Sequence, residues 1–306
     1  MIDLRKVPFV LILLIVLCSC TGVQGVSPTE AEKSKPESQI AKTGSRSVNV
    51  NKQAAAAPEH VVIVMEENHS QKKIIGNPSA PYMNSLAKQG AYFTQSYGTD
   101  HPSQPNYLVL FSGSNQGIHS DSCGHTLNAP NLASELIKHK YTFAGYSEDL
   151  PSIGSKVCTH KQYGRKHSPW VNFTNVPESA HMRFSDFPTD YRKLPTVSFV
   201  IPNLDHDMHD GTIQSADNWL KNNLGPYVEW AKSHHSLLIL TWDEDDYGSR
   251  NHIPTIMVGE NIRPGNYDQK ITHLNVLRML EDMYHLPYVG ATSKAEPINN
   301  VWTNNK

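Results

Sequence analysis

Three apolar runs in this chain end in acids and histidines. Residues 60–65 run into Glu66-Glu67-Asn68-His69, and residues 197–203 are followed by Asp205-His206-Asp207-Met208-His209-Asp210. Residues 237–242 meet Asp243-Glu244-Asp245-Asp246, with His252 shortly after. Carboxylate, amide and imidazole groups suit a divalent cation such as Mg, Mn, Ca or Zn. Asp205 and His209 are four residues apart, so on a helix or tight turn both can meet one ion. His252 is a candidate third ligand. Glu67 with Asn68, and Asp243 with Glu244, offer ligands at the tips of the other two runs. Strand alternation lets only one of Glu66 and Glu67 face a given site, which leaves Glu66 as the alternative. His69, His101, His119, His125, His206, Asp207, Asp210, Asp245 and Asp246 are read as surface or supporting polar residues.

A hydroxyl accompanies these acids. Ser103 lies in His101-Pro102-Ser103-Gln104-Pro105-Asn106-Tyr107, where a strand gives way to a helix. Amides at a helix N-terminus suit a phosphate, and a hydroxyl beside a cation can attack phosphorus. A serine here can also be a simple helix cap. Its combination with three ligand-bearing runs favours the nucleophile. The folded part has no Gly-x-Ser-x-Gly elbow, P-loop or dinucleotide glycine pattern.

Short continuous apolar runs suit strands buried on both faces of a parallel sheet, and ligands bind beyond the carboxyl ends of such strands. Between them the sequence predicts helices over 81–86 with Gly90 as stop, 103–111, 131–137 capped by Asn131, 217–224, 226–232, and one capped by Thr272 with Leu274, Leu277, Leu280 and Tyr284 on its buried face. Further strands are expected over 91–97, 141–146 and 254–258. Residues 150–194 carry no clear periodicity and read as an excursion over the active face. The alternation predicts an α/β fold, a three-layer sandwich with a mostly parallel central sheet.

The net charge of −2 and an isoelectric point near 6.8 give no basic footprint, so no dedicated nucleic-acid partner is expected. Sixteen histidines against four cysteines favour imidazole and carboxylate chemistry over thiolate sites. Residues 1–20 read as an export signal whose apolar core is too short to span a membrane comfortably. The end of that core, Leu17-Cys18-Ser19-Cys20, resembles the bacterial lipoprotein signal with Cys20 as the acylated residue; free secretion is the alternative. Residues 21–57 have the composition of a solvated tether to a catalytic domain over 58–306. In an oxidising exterior, Cys123 and Cys158 are most simply a disulfide.

The segments VIVMEENHS, TDHPSQPNYLVLFSG, PNLDHDMHDG, TWDEDD, NHIPTIMVG and THLNVLRMLEDMYHLP resemble, in order, the bacterial phosphoesterase family of acid phosphatases and phospholipase C-type enzymes, within the alkaline-phosphatase-like superfamily. The resemblance implies a metal-dependent phosphoesterase with one or two divalent cations. It implies Ser103 as a nucleophile that becomes phosphorylated, and Glu67, Asn68, Asp243 and Glu244 as ligands. Asp205, His209 and His252 then bind a second metal, or the histidines hold the phosphate or protonate the leaving group. Asn68 and Asn106 are expected to donate to phosphate oxygens. The short interval from TWDEDDYG to His252 favours the monoester phosphatase branch, with a phospholipase C-type phosphodiesterase as the alternative. The substrate is then a phosphate ester, met at the outer membrane face or in the medium.

Overall fold

A computed structural model describes residues 57–303, so the export signal, Cys20 and nearly all of the tether lie outside the described residues. Eleven strands are formed among them: β1 (His60–Glu66), β2 (Ala91–Tyr97), β3 (Phe143–Ser147), β4 (Thr159–His160), β5 (Tyr163–Gly164), β6 (His181–Arg183), β7 (Val197–Ile201), β8 (Ser236–Trp242), β9 (His252–Gly259), β10 (Gly265–Tyr267) and β11 (Ile271–Thr272). The helices are α1 (Gln71–Ile74), α2 (Pro81–Gln89), α3 (Ser103–Ser112), α4 (Leu132–Lys138), α5 (Ile213–Ala231) and α6 (His273–Met283).

The central sheet runs β10-β2-β9-β8-β1-β7-β3-β6, with β11 also on β2. β1 pairs in parallel with β7 and β8, Val61 lying opposite both Val197 and Leu237. β3 is parallel to β7 and β6, and only β9 runs against its neighbours β8 and β2. The two reversals at β9 leave β2 pointing the same way as β1. The carboxyl ends of β1, β2, β3, β7 and β8 therefore share one edge of the sheet, and the acid-bearing segments leave from it.

Strand alternation builds the layers. Val61, Ile63 and Met65 pack with α3, α4 and α6, whereas Val62 and Val64 pack with α1, α2 and α5. This is the three-layer α/β sandwich expected from the sequence. Asn131 caps α4 through a reciprocal pair with Ser134, and Thr272 does the same for α6 with Asn275. All ten residues of α3 are buried, including Ser103 at its first position.

Two local expectations change. The helices predicted over 217–224 and 226–232 are one, α5, with Pro226 inside it. Ala216, Leu220, Leu224, Tyr227, Val228 and Ala231 form one continuous buried face, and that packing outweighs the missing proline N–H. The excursion over 150–194 also contributes β6 to the sheet edge and a β4–β5 hairpin. A Cys123–Cys158 disulfide, Cα atoms 5.8 Å apart, ties this excursion to the loop after α3. No helix among the described residues is long and apolar enough to cross a membrane.

Candidate active site

The chain turns out of β1 through Asn68, whose φ is +48°. Its amide donates to Asp243 Oδ1 at 3.0 Å and its side chain to Glu67 Oε2 at 3.2 Å. The tips of β1 and β8 are thereby locked side by side. Glu67 is fully buried. Ser103 Oγ donates to Glu67 Oε2 at 3.0 Å and lies 3.4 Å from Glu244 Oε1. Glu67, Asn68, Ser103, Asp243 and Glu244, drawn from three distant segments, thus meet at one point.

Other candidates from the sequence are held differently. Asp205 accepts from Gln162 Nε2 at 3.0 Å, and His252 Nε2 donates to the Thr94 carbonyl at 2.8 Å while its ring stacks on Tyr97. Neither belongs to a group of three potential ligands among the described residues. His252 opens β9 directly opposite Tyr97, and this register places its ring on that strand. His209 stands at the rim, its Nε2 3.1 Å from Lys166 Nζ and its ring 6.0 Å from that of His167. The side-chain amide of Asn106 is spent on the loop before Ser103. It accepts from the Thr99 and Asp100 amides and donates to the Asp100 and Pro102 carbonyls. The Gln104 amide, in the first turn of α3, donates to Asp121 Oδ1. Glu66, on the other face of the pleat, is buried with neither carboxylate oxygen hydrogen-bonded.

Three residues that sequence reasoning set aside or passed over complete the cluster. His167 is buried with Nε2 3.1 Å from Glu67 Oε1 and Nδ1 3.3 Å from Asp207 Oδ2. Tyr107 donates to Glu67 Oε1 and stacks on His167 at 4.9 Å. Asp207, counted among the supporting acids, is buried beside them, and its carbonyl accepts from the Glu67 amide. Tyr107 could have been found, since it follows Ser103 by four residues on one helix face. His167 sits in the aperiodic excursion with no local motif to mark it.

The electrostatics of the cluster are compatible with a cation. Burial first, then Asp243 and Asp207, holds the Glu67 carboxyl well above its usual range. Burial likewise lifts Asp243 to about 6, and burial with the Asp243 charge lifts Glu244 to about 9. Burial keeps His167 neutral, far below the ordinary histidine value. Lys166 faces these acids while bound to Asp121 Oδ2 at 2.9 Å. Asp243 Oδ2 is buried with no polar partner, and Asp207 Oδ2, Glu244 Oε2 and His167 Nε2 each have an ionic contact but no hydrogen bond. The ligand atoms of Glu67, His167 and Asp207 lie within 4.8 Å of one another. Like charges so close, with a neutral imidazole among them and orphaned lone pairs, fit a divalent ion.

The architecture defines a fold class, the three-layer α/β sandwich of alkaline-phosphatase type. The chain aligns with a protein in the alkaline phosphatase superfamily from Vibrio parahaemolyticus at a TM-score of 0.57 and 13% identity, covering 80% of this chain and 71% of that one. Residues 77–287 match the Phosphoesterase family, and the chain belongs to that family. It is 53% identical over 254 residues to phosphatidylinositol-3-phosphatase of Mycobacterium tuberculosis (strain ATCC 25618 / H37Rv), spanning 81% of this chain and 85% of that protein. It is 30% identical over 227 residues to the phosphate-repressible acid phosphatase of Penicillium chrysogenum. That match spans 68% of this chain but only 55% of the longer relative. The protein is a hydrolase acting on phosphoric ester bonds.

Proposed function

We propose that the chain is a metal-dependent phosphomonoesterase working through a phosphoserine at Ser103. The observation that carries the reading is the buried Ser103 hydroxyl, 3.0 Å from Glu67, among four buried carboxylates and a neutral histidine. Glu67, Asp207, Asp243, Glu244 and His167 would hold the cation or cations, with Asn68 fixing two of the acids. A divalent ion bound there supplies positive charge for the nonbridging phosphate oxygens.

The protein's own groups move the proton and hold the ester. Ser103 Oγ gives its proton to Glu67 Oε2 as it bonds to phosphorus, and the alcohol oxygen leaves. Water then cleaves the phosphoserine and restores the hydroxyl. Lys166, oriented by Asp121 and donating to His209 Nε2, is placed to bind a phosphate oxygen, and the leaving alcohol takes its proton from solvent. Asn106 acts by fixing the 99–102 loop that presents Ser103.

The names of the relatives favour a monoester, including a phosphoinositide, over the diester of a phospholipase C. Export, with Cys20 acylated or the chain free, is part of the same proposal, and the Cys123–Cys158 disulfide suits an oxidising compartment.

Ser103→Ala should keep the fold and metal uptake by calorimetry, yet lose the phosphoenzyme and about 10³-fold or more of turnover. Chelation should silence the wild type, and stepwise return of ions should restore it. Hydrolysis by Ser103→Ala at the wild-type rate would overturn the nucleophile.

A further inference from the structure

Beside the acid cluster one aromatic ring is left in solvent. Tyr247 is 74% exposed, more than any other large apolar side chain among the described residues. Its ring stacks on that of His101, centroids 4.1 Å apart. His101 Nδ1 lies 2.5 Å from Glu244 Oε2, and Glu244 is the carboxylate 3.4 Å from Ser103 Oγ. The tyrosine therefore stands three contacts from the reacting hydroxyl, with two residues between them and one ring face backed by the wall of the site.

Its backbone is costly. Tyr247 has φ +60°, in the left-handed region that suits glycine or asparagine and strains a bulky residue. Asp245 imposes this geometry by accepting from the amides of Tyr247, Ser249 and Asn251 at 2.8, 2.6 and 3.0 Å. Lys73 on Asp246 and Lys72 on the Gly248 carbonyl fasten the same loop to α1. A large ring is thus held in a strained, pinned turn while contributing little to the core. Strain of this kind collects at ligand clamps, and an exposed aromatic face recovers its apolar area only when something packs on it.

We propose that Tyr247 is a specificity-determining residue, a platform for the leaving group that favours alcohols with a flat or ring-shaped face over short open-chain ones. The inference rests on the phosphoesterase reading of the Ser103 cluster. A ring leaving from phosphorus at Ser103 meets the His101–Tyr247 wall, whereas a glycerol-sized alcohol leaves it unused.

The test compares kcat/KM for phenyl phosphate and glycerol 1-phosphate in the metal-loaded full chain, as wild type, Tyr247→Ala and Tyr247→Phe. The phenyl-to-glycerol ratio should fall about five- to tenfold in the alanine variant, chiefly through KM, and stay within about twofold in the phenylalanine variant. An unchanged ratio in Tyr247→Ala, or an equal loss on both substrates, overturns the proposal. Calorimetry with phenylphosphonate and methylphosphonate reads the same preference without turnover. Should the wild type hydrolyse neither ester, the phosphoesterase reading fails. Stacking then stands if the wild type prefers phenylphosphonate and Tyr247→Ala does not, and falls if the two proteins bind alike.

Discussion

Two adjacent glutamates with opposite environments show how much one strand pleat decides. Glu67 meets Ser103, Tyr107 and His167; Glu66 lies on the other face with no hydrogen bond to its carboxylate. Burial, then the Asp207 and Asp217 charges, holds the Glu66 carboxyl well above its usual value. Its contribution to stability is complete below the unfolded carboxyl pKa and is lost as pH rises through the folded one. Glu66→Gln should therefore melt above the wild type at pH 8, with the gap closing towards pH 4.5 and kcat within about twofold. Glu67→Gln should cost about 10²-fold or more in kcat. Equal loss of activity in both would contradict this assignment. At this scale the sequence revealed the acids and the serine, because they sit directly at strand ends and a helix start. It concealed His167, 64 residues after Ser103 in a segment without periodicity, and it could not tell that the His252 ring turns to the Thr94 carbonyl.

Two connections cover the cluster, and one covalent bond fixes their spacing. The loop after α3 brings Asp121 to the Gln104 amide and to Lys166, while the excursion brings Lys166 and His167. The Cys123–Cys158 bridge joins them across a separation of 35 residues. A closed loop of that length limits the unfolded chain by roughly 3–4 kcal/mol. Replacing both cysteines with serine should lower urea stability by about that amount and raise KM for phosphate esters, since Lys166 loses its tether. Unchanged KM with lowered stability would confine the bridge to a structural role. The strands β1, β7 and β8 were legible because burial on both faces leaves an uninterrupted apolar run. β6, three residues long at the sheet edge, carries no such run, and the Gly225-Pro226 pair disguised the continuity of α5.

Across the whole molecule, buried ionisable groups outside the acid cluster shape the response to pH. His181 and His273 are held neutral at about 4 by burial, so the stability they contribute is present above the ordinary histidine pKa and lost as pH falls towards 4. Glu281 on α6 is lifted to about 7 by burial and accepts from the Val289 amide at 2.8 Å. Its share is complete below about pH 4.5 and disappears as pH rises through 7. Glu281→Gln keeps an acceptor for that amide and should flatten the fall in Tm between pH 5 and pH 8. A variant falling as steeply as the wild type would place the alkaline limb elsewhere. The α/β sandwich itself was legible from strand–helix alternation, whereas the contacts that close the site depend on loop paths that no periodicity encodes. The full burial of α3 has one last consequence. Ser103 and Tyr107 ride on a helix enclosed by the core, so the Ser103 hydroxyl is held as firmly as the core that surrounds it. The order of the site and folding then draw on the same reserve, whereas the 245–251 loop at the rim is held by polar contacts of its own.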